Sequence, residues 1–283
     1  MFMAKLLDGR ALSKKIKLEL HDRVDQLKQG GTVPKLVVIL VGDDEASKIY
    51  VRNKHKAAEM IGIQTEDIKL PVDTSEKAVL QLIEKFNEDD LVHGILVQLP
   101  LPQQINSRKV TEAINPQKDV DGFHPNNVGH LFMGEPRALP CTPNGIIQLL
   151  HEYHVPVVGK KAVVIGRSNI VGKPMAAMLL NESATVTVVH SKTKNMKEII
   201  KTADIVVVAI GKAEFITKEY IKPGAVVIDV GMNRNHAGKL VGDVAFSEVE
   251  SVASYITPVP GGVGPMTIAM LLEQTVRFAE LEG

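Results

Sequence analysis

Twice along this chain, short runs of valine, isoleucine and leucine alternate with stretches long enough for a helix, a rhythm that commits it to parallel sheets covered by helices. The first set has apolar runs at 35–41 and 93–98 and a more polar strand at 64–70, with helical stretches at 46–61 and 76–86 between them. A run that is apolar almost throughout, rather than at every second residue, belongs to a strand buried on both faces. Four further runs, at 162–165, 185–189, 205–210 and 226–230, repeat the rhythm and predict a second, doubly wound unit. Leu12, Ile16, Leu20, Val24 and Leu27 form a helical stripe ahead of the first unit, stopped by Gly30-Gly31. Residues 266–279 predict a closing helix with Ile268, Leu271, Leu272, Thr275 and Phe278 on one face and Pro265 at its start, where proline is tolerated. Between 99 and 143 the rhythm lapses into a stretch rich in Pro, Asn and Gly, expected to be loop, and so long a loop is usually functional or a domain junction.

The chain has 283 residues, 45% of them hydrophobic, and single cores stop growing near ~250–300 residues, so two α/β domains are expected. Lys plus Arg and Asp plus Glu both number 33, leaving no overall field to draw in nucleic acid or an anionic membrane, and neither is expected as a partner. Cys141 is the single cysteine, which excludes an intramolecular disulfide and points to a reducing compartment. Residues 1–8 lack the apolar core of a signal peptide, and no run approaches the ~20 apolar residues of a membrane span, so a cytoplasmic location is expected.

Directly after the run at 35–41, the sequence Ser47-Lys48-Ile49-Tyr50-Val51-Arg52-Asn53-Lys54 places Ser47, Tyr50 and Lys54 in one column at helical pitch. A lysine works as an acid or base near neutrality only where burial or a positive neighbour disfavours its ammonium form, and an aromatic beside it helps exclude water. The same column also suits a surface lysine beside a core tyrosine.

The run at 162–165 leads straight into Gly166-Arg167-Ser168-Asn169-Ile170-Val171-Gly172, followed by an apolar helix. A glycine turn between a strand and a helix N-terminus offers backbone amides and the positive end of the helix dipole to a diphosphate. Ser168 stands where the second glycine of the usual Gly-x-Gly-x-x-Gly would be, and the closing glycine comes one residue late. The next strand ends in His190-Ser191-Lys192-Thr193 and lacks the carboxylate that would hold a ribose 2′-hydroxyl. Arg167 and Ser191, with Lys192 nearby, suit a 2′-phosphate through charge-assisted hydrogen bonds, which favours NADP over NAD. An exposed polar turn would have the same residues.

Together with Gly94-Ile95-Leu96-Val97-Gln98-Leu99-Pro100-Leu101-Pro102, Lys118-Asp119-Val120-Asp121-Gly122-Phe123 and Thr257-Pro258-Val259-Pro260-Gly261-Gly262-Val263-Gly264-Pro265-Met266-Thr267, these segments resemble the bifunctional methylenetetrahydrofolate dehydrogenase/methenyltetrahydrofolate cyclohydrolase family nearly end to end. The resemblance implies a catalytic, folate-binding domain of residues 1–140 and 264–283, a Rossmann-like NADP-binding domain of residues 141–263, folate in a cleft, a cis bond before Pro260, a homodimer, and a place in one-carbon metabolism serving purine biosynthesis. In this family the lysine matching Lys54 is the general acid/base of the hydrolytic step. Gln98 matches the glutamine that hydrogen-bonds it, Tyr50 the tyrosine packed on the aminobenzoyl part of folate, and Asp121 the aspartate that binds the pterin. Gly166, Arg167, Ser168, Ser191 and Met232 are expected to position NADP, with Pro260 and Gly261 closing the folate side. A metal at Asp119 and Asp121 is not expected, because no further acidic ligands follow at calcium-loop spacing.

Lys48, Arg52 and Lys56 suit the glutamate tail of folate or an ordinary solvated helix face. A monofunctional dehydrogenase of this fold is expected to lack the Lys54 and Gln98 pair, which this sequence retains. Ala245 stands where the family commonly has an acidic residue, Lys212-Ala213-Glu214 replaces a proline-containing turn, and Met232 replaces a branched residue.

Overall fold

The computed structural model describes residues 3–235 and 237–282. In chain order the elements are β1 (Lys5–Leu6), α1 (Gly9–Gln29), β2 (Lys35–Val41), α2 (Glu45–Met60), β3 (Gln64–Leu70), α3 (Glu76–Asn87), β4 (Gly94–Val97), α4 (Ser107–Ala113), α5 (Pro125–Phe132) and α6 (Cys141–Glu152). They continue with β5 (Lys161–Ile165), α7 (Gly172–Asn181), β6 (Thr185–Val189), α8 (Met196–Ile200), β7 (Ile205–Val208), β8 (Val226–Asp229), β9 (Asn233–Arg234), β10 (Leu240–Val241), α9 (Phe246–Val249), β11 (Tyr255–Ile256) and α10 (Val263–Glu282). By its contacts the chain divides into two compact units, one of Met1–Lys14 with Thr142–Thr267 and one of Lys15–Cys141 with Ile268–Gly283.

In the second of these units a parallel sheet of order β3-β2-β4 holds β2 at its centre, buried from Leu36 to Val41. Val37, Ile39, Val79, Ile83, Phe86 and Ile95 meet in its core. The stretch expected to be loop contains α4 and α5 and the start of α6. Helices this short show too little apolar periodicity to be read, and their starts are set by side chains. Asn106 Oδ1 accepts from the N–H groups of Arg108 and Lys109, and His124 Nδ1 accepts from Asn126 N–H beside Pro125.

Lys118 is buried, and its ammonium donates to the carbonyl oxygens of Phe86 (3.2 Å), Asn87 (3.0 Å) and Asp89 (2.7 Å), where α3 ends. The cation satisfies carbonyls that have no partner within the helix. Lys118→Met is expected to strand them in a dry site and to lower unfolding free energy by about 2–3 kcal/mol. Urea unfolding checks this, and an unchanged midpoint would refute it.

The other unit is built on a six-stranded parallel sheet of order β1-β11-β8-β7-β5-β6, with β9 and β10 as a separate antiparallel pair. Counted from β5, the strands run 2-1-3-4-5 across the sheet, a doubly wound order whose direction reverses between β5 and β7. The two-residue strand β1 extends the far edge by pairing with β11, which groups the first residues of the chain with this sheet. The peptide bonds before Pro100 and Pro260 are cis.

Candidate active site

The helix α2 starts at Asp44, whose Oδ2 accepts from both the N–H and the hydroxyl of Ser47, each at 2.8 Å. Ser47 is thereby spent on capping. Of the predicted column, Tyr50 and Lys54 remain for chemistry. Lys54 is only 8% exposed, and its Nζ donates to Gln98 Oε1 at 3.0 Å. Gln98 Nε2 donates to the Leu99 carbonyl at 2.7 Å, which turns the amide oxygen toward the amine. The Gln98 N–H donates to Ile39 O at 2.9 Å, so the residue continues the ladder of β4 on β2. Lys54 therefore has a neutral acceptor that orients its nitrogen and adds no counter-charge. Partial burial raises the Tyr50 phenol above its usual range, so its hydroxyl stays protonated at neutral pH.

The segment carrying both aspartates lies along β4, because Lys118 O accepts from Ile95 N–H at 2.8 Å and Ile95 bridges Asp119. Asp119 is 2% exposed and accepts from Gly122 N–H (3.1 Å), His124 N–H (2.8 Å) and Asn127 Nδ2 (2.9 Å). It knots the loop, while burial pushes its carboxyl up and those donors pull it down, with burial prevailing. Asp121 is half-buried and has another role open to it. Withdrawal from water pushes its carboxyl up to about 6, opposed by the Lys54 charge and assisted by Asp119.

The Cys141 thiol donates to Val120 O at 3.1 Å and is pushed well up by burial. From α10, Gln274 donates to Val120 O and Leu139 O and accepts from Leu139 N–H, bracing the same loop. Among the described residues no group of three or more His, Cys, Asp or Glu side chains is placed to hold a metal ion.

At the reversal point of the six-stranded sheet, a cavity of about 330 Å³ is lined by Gly166, Arg167, His190, Ser191, Ala209, Ile210, Lys212 and Phe215, among others. Arg167 and Ser191, predicted to converge from adjacent strand ends, share this cavity. Gly166 has φ +121°, and a Cβ on it would lie 2.2 Å from Ala209 O. A Cβ on Gly172 would lie 2.4 Å from Gly166 O. Two glycines thus let the turn close on itself and on the next strand end.

Ser168 Oγ accepts from the N–H groups of Val171 and Gly172, both at 3.2 Å. The serine that replaces the middle glycine takes two amides that the glycine turn had suggested for a diphosphate. Met232 is 47% exposed and lies near Gly264, outside the residues that line the cavity. Pro260 is exposed, and Gly261, with φ +119°, accepts from Arg10 N–H through its carbonyl at 3.0 Å.

Two buried aspartates escaped the sequence reading. Asp229 at the end of β8 accepts from the N–H groups of Gly231, Asp243 and Val244, each at 2.9 Å, and its carboxyl is pushed up to about 7 by burial. Asp243 accepts from Ile210, Gly211 and Lys212 N–H and from Asn233 Nδ2. Their only sequence signal is an acidic residue within two positions of a glycine after a short apolar run, as in Asp229-Val230-Gly231 and Gly242-Asp243.

Residues 7–121 match the family model for the tetrahydrofolate dehydrogenase/cyclohydrolase catalytic domain, and residues 140–282 match the model for the NAD(P)-binding domain of the same enzymes. The chain is 63% identical over 278 residues to the bifunctional protein FolD of Ligilactobacillus salivarius and 58% identical over 278 residues to that of Streptococcus agalactiae, each alignment covering 98% of both chains. Among solved structures it is similar to the bifunctional FolD methylenetetrahydrofolate dehydrogenase/cyclohydrolase of Campylobacter jejuni, with TM-score 0.97, 52% identity, and 98% of this chain and 99% of that one covered. It is also similar to the Trypanosoma brucei enzyme complexed with NADP cofactor and inhibitor, with TM-score 0.95, 41% identity and 99% of both chains covered.

Proposed function

This chain belongs to the tetrahydrofolate dehydrogenase/cyclohydrolase family, and from that premise we propose which of its residues carry the family's two reactions. The first is NADP-dependent oxidation of 5,10-methylenetetrahydrofolate to the 5,10-methenyl cation, and the second is hydrolysis of that cation to 10-formyltetrahydrofolate. The observation that carries the assignment is the hydrogen bond from the buried Lys54 to the neutral acceptor Gln98.

Hydrolysis needs one group that moves a proton twice. Water adds to the methenyl carbon and gives up a proton, then the bond from that carbon to N5 breaks and N5 takes a proton. Lys54 accepts the first and returns the second. Gln98 holds the amine in register, and a carboxylate in its place would fix the lysine as an ion pair. Tyr50 packs on the aminobenzoyl ring and helps exclude water. Asp121 accepts from the amino and ring N–H donors of the pterin.

NADP, when bound, supplies the hydride acceptor for the oxidation. The cavity after β5 and β7 fits it: Gly166 and Gly172 keep side chains out of the turn, while Arg167 and Ser191 supply the donors a 2′-phosphate needs. Ser168 shapes that turn, and Met232 packs toward the nicotinamide end. Pro260 and Gly261 close the folate side. A homodimer acting in the cytoplasm, supplying 10-formyl groups to purine biosynthesis and binding neither nucleic acid nor membrane, completes this reading. Its support is the even charge balance, the free outer edge of β6 with Val188 exposed, and the lack, among the described residues, of a helix long and apolar enough to cross a membrane.

The test is paired kinetics on the wild type: NADP reduction with methylenetetrahydrofolate, and decay of methenyltetrahydrofolate absorbance. Both activities are expected, and absence of both would leave a nucleotide-binding scaffold. A pH dependence follows from Asp121. With its carboxyl near 6, the ionised acceptor predominates at pH 7 and is largely lost by pH 5, so KM for the folate substrate should rise roughly tenfold over that range. Asp121→Asn should have a high KM that no longer varies with pH. A wild-type KM constant from pH 5 to 7 would remove Asp121 from pterin binding.

A further inference from the structure

We infer that Asp243 is a positioning residue for the dinucleotide, its buried carboxylate tying one wall of the nucleotide cavity to the segment that carries Met232. The inference rests on placing NADP in that cavity. Asp243 is 0% exposed and sits just after β10, away from the glycine turn in sequence.

Its Oδ2 accepts from Ile210 N–H (2.7 Å) and Gly211 N–H (3.0 Å), and its Oδ1 from Lys212 N–H (2.8 Å) and Asn233 Nδ2 (2.8 Å). Three consecutive amides of the loop after β7 therefore converge on one carboxylate. Ile210 and Lys212 line the same cavity as Gly166 and Arg167. The fourth donor, Asn233, directly follows Met232. Asp243 is itself held from below, since its own N–H donates to Asp229 Oδ1 at 2.9 Å.

A carboxylate suits this place because it is acceptor-only and can take all four N–H donors at once. An amide of the same shape turns two donors of its own toward donors. The loop then has to shift, and with it the cavity wall.

Asp243→Asn is expected to raise KM for NADP at least tenfold and to abolish the stabilisation against heat that NADP gives the wild type. Hydrolysis of methenyltetrahydrofolate, assayed without nucleotide, should stay within twofold of wild type. A general packing defect would lower both activities together, and that result overturns the inference, as does a KM for NADP within twofold of wild type. Should Asp243→Asn not fold, Asn233→Ala decides: it removes one of the four donors and is expected to raise KM for NADP severalfold with hydrolysis unchanged. No change in KM overturns the inference. A wild type that neither binds nor reduces NADP would instead refute the placing of the cofactor.

Discussion

Lys54→Gln should lose hydrolysis of the methenyl bridge by about 10³-fold, the range that a positioned general acid/base contributes, while folate binding and NADP reduction persist. Glutamine is close in length and can still donate to Gln98 Oε1, so the hydrogen bond that orients the site survives while the proton carrier does not. Because the hydrogen-bond partner of Lys54 is uncharged, its replacement breaks no direct ion pair, and Asp121, which loses a nearby positive charge, can take up a proton rather than stay as an unpaired carboxylate. The variant should therefore fold normally and unfold within about 1 kcal/mol of wild type. Decay of methenyltetrahydrofolate absorbance and NADP reduction, measured on one preparation, separate the two steps. Hydrolysis at the wild-type rate would move the acid/base role to another group. Parallel loss of both activities would mean that Lys54 serves binding rather than proton transfer.

Gly166→Ala is the mirror experiment. Its Cβ would enter within 2.2 Å of Ala209 O, and the backbone at φ +121° is one that L-residues with side chains rarely adopt. Both obstacles are backbone, so no side-chain rotation relieves them. The turn must open, at a stability cost of about 3 kcal/mol, and a shift of an ångström at a positioning loop lowers kcat/KM by about 10². The loss should fall on NADP-dependent oxidation, with nucleotide-free hydrolysis within threefold of wild type, and kcat/KM for NADP is the quantity to measure. Unchanged NADP kinetics would show that the glycine turn is not the nucleotide cradle.

Local chemistry was enough to read much of the molecule. The strands at 35–41, 64–70 and 185–189 match the sequence reading to the residue: 35–41 is buried on both faces and leaves a continuous apolar signature, while 64–70 and 185–189 are exposed edge strands bounded by the flanking helices. The glycine turn and the convergence of Arg167 with Ser191 follow from strand order alone, since adjacent parallel strands end on the same side of the sheet. Short elements escaped for the opposite reason. β1 and β11 are two residues each, and α4 and α5 are set by caps rather than by periodicity.

Sequence by itself determined the class of fold, the place of the glycine turn after β5 and the identity of the Lys54 and Gln98 pair, because each rests on residue type and spacing within one segment or on matched motifs. Only the tertiary structure decided that Ser47 caps α2 while Lys54 is buried against Gln98, that Asp119 knots its loop while Asp121 stays open for another role, and that Asp229 and Asp243 bind the loops after β7 and β8. The role of a carboxylate or hydroxyl depends on which N–H groups the folded backbone brings to it, and those donors come from segments the sequence keeps far apart.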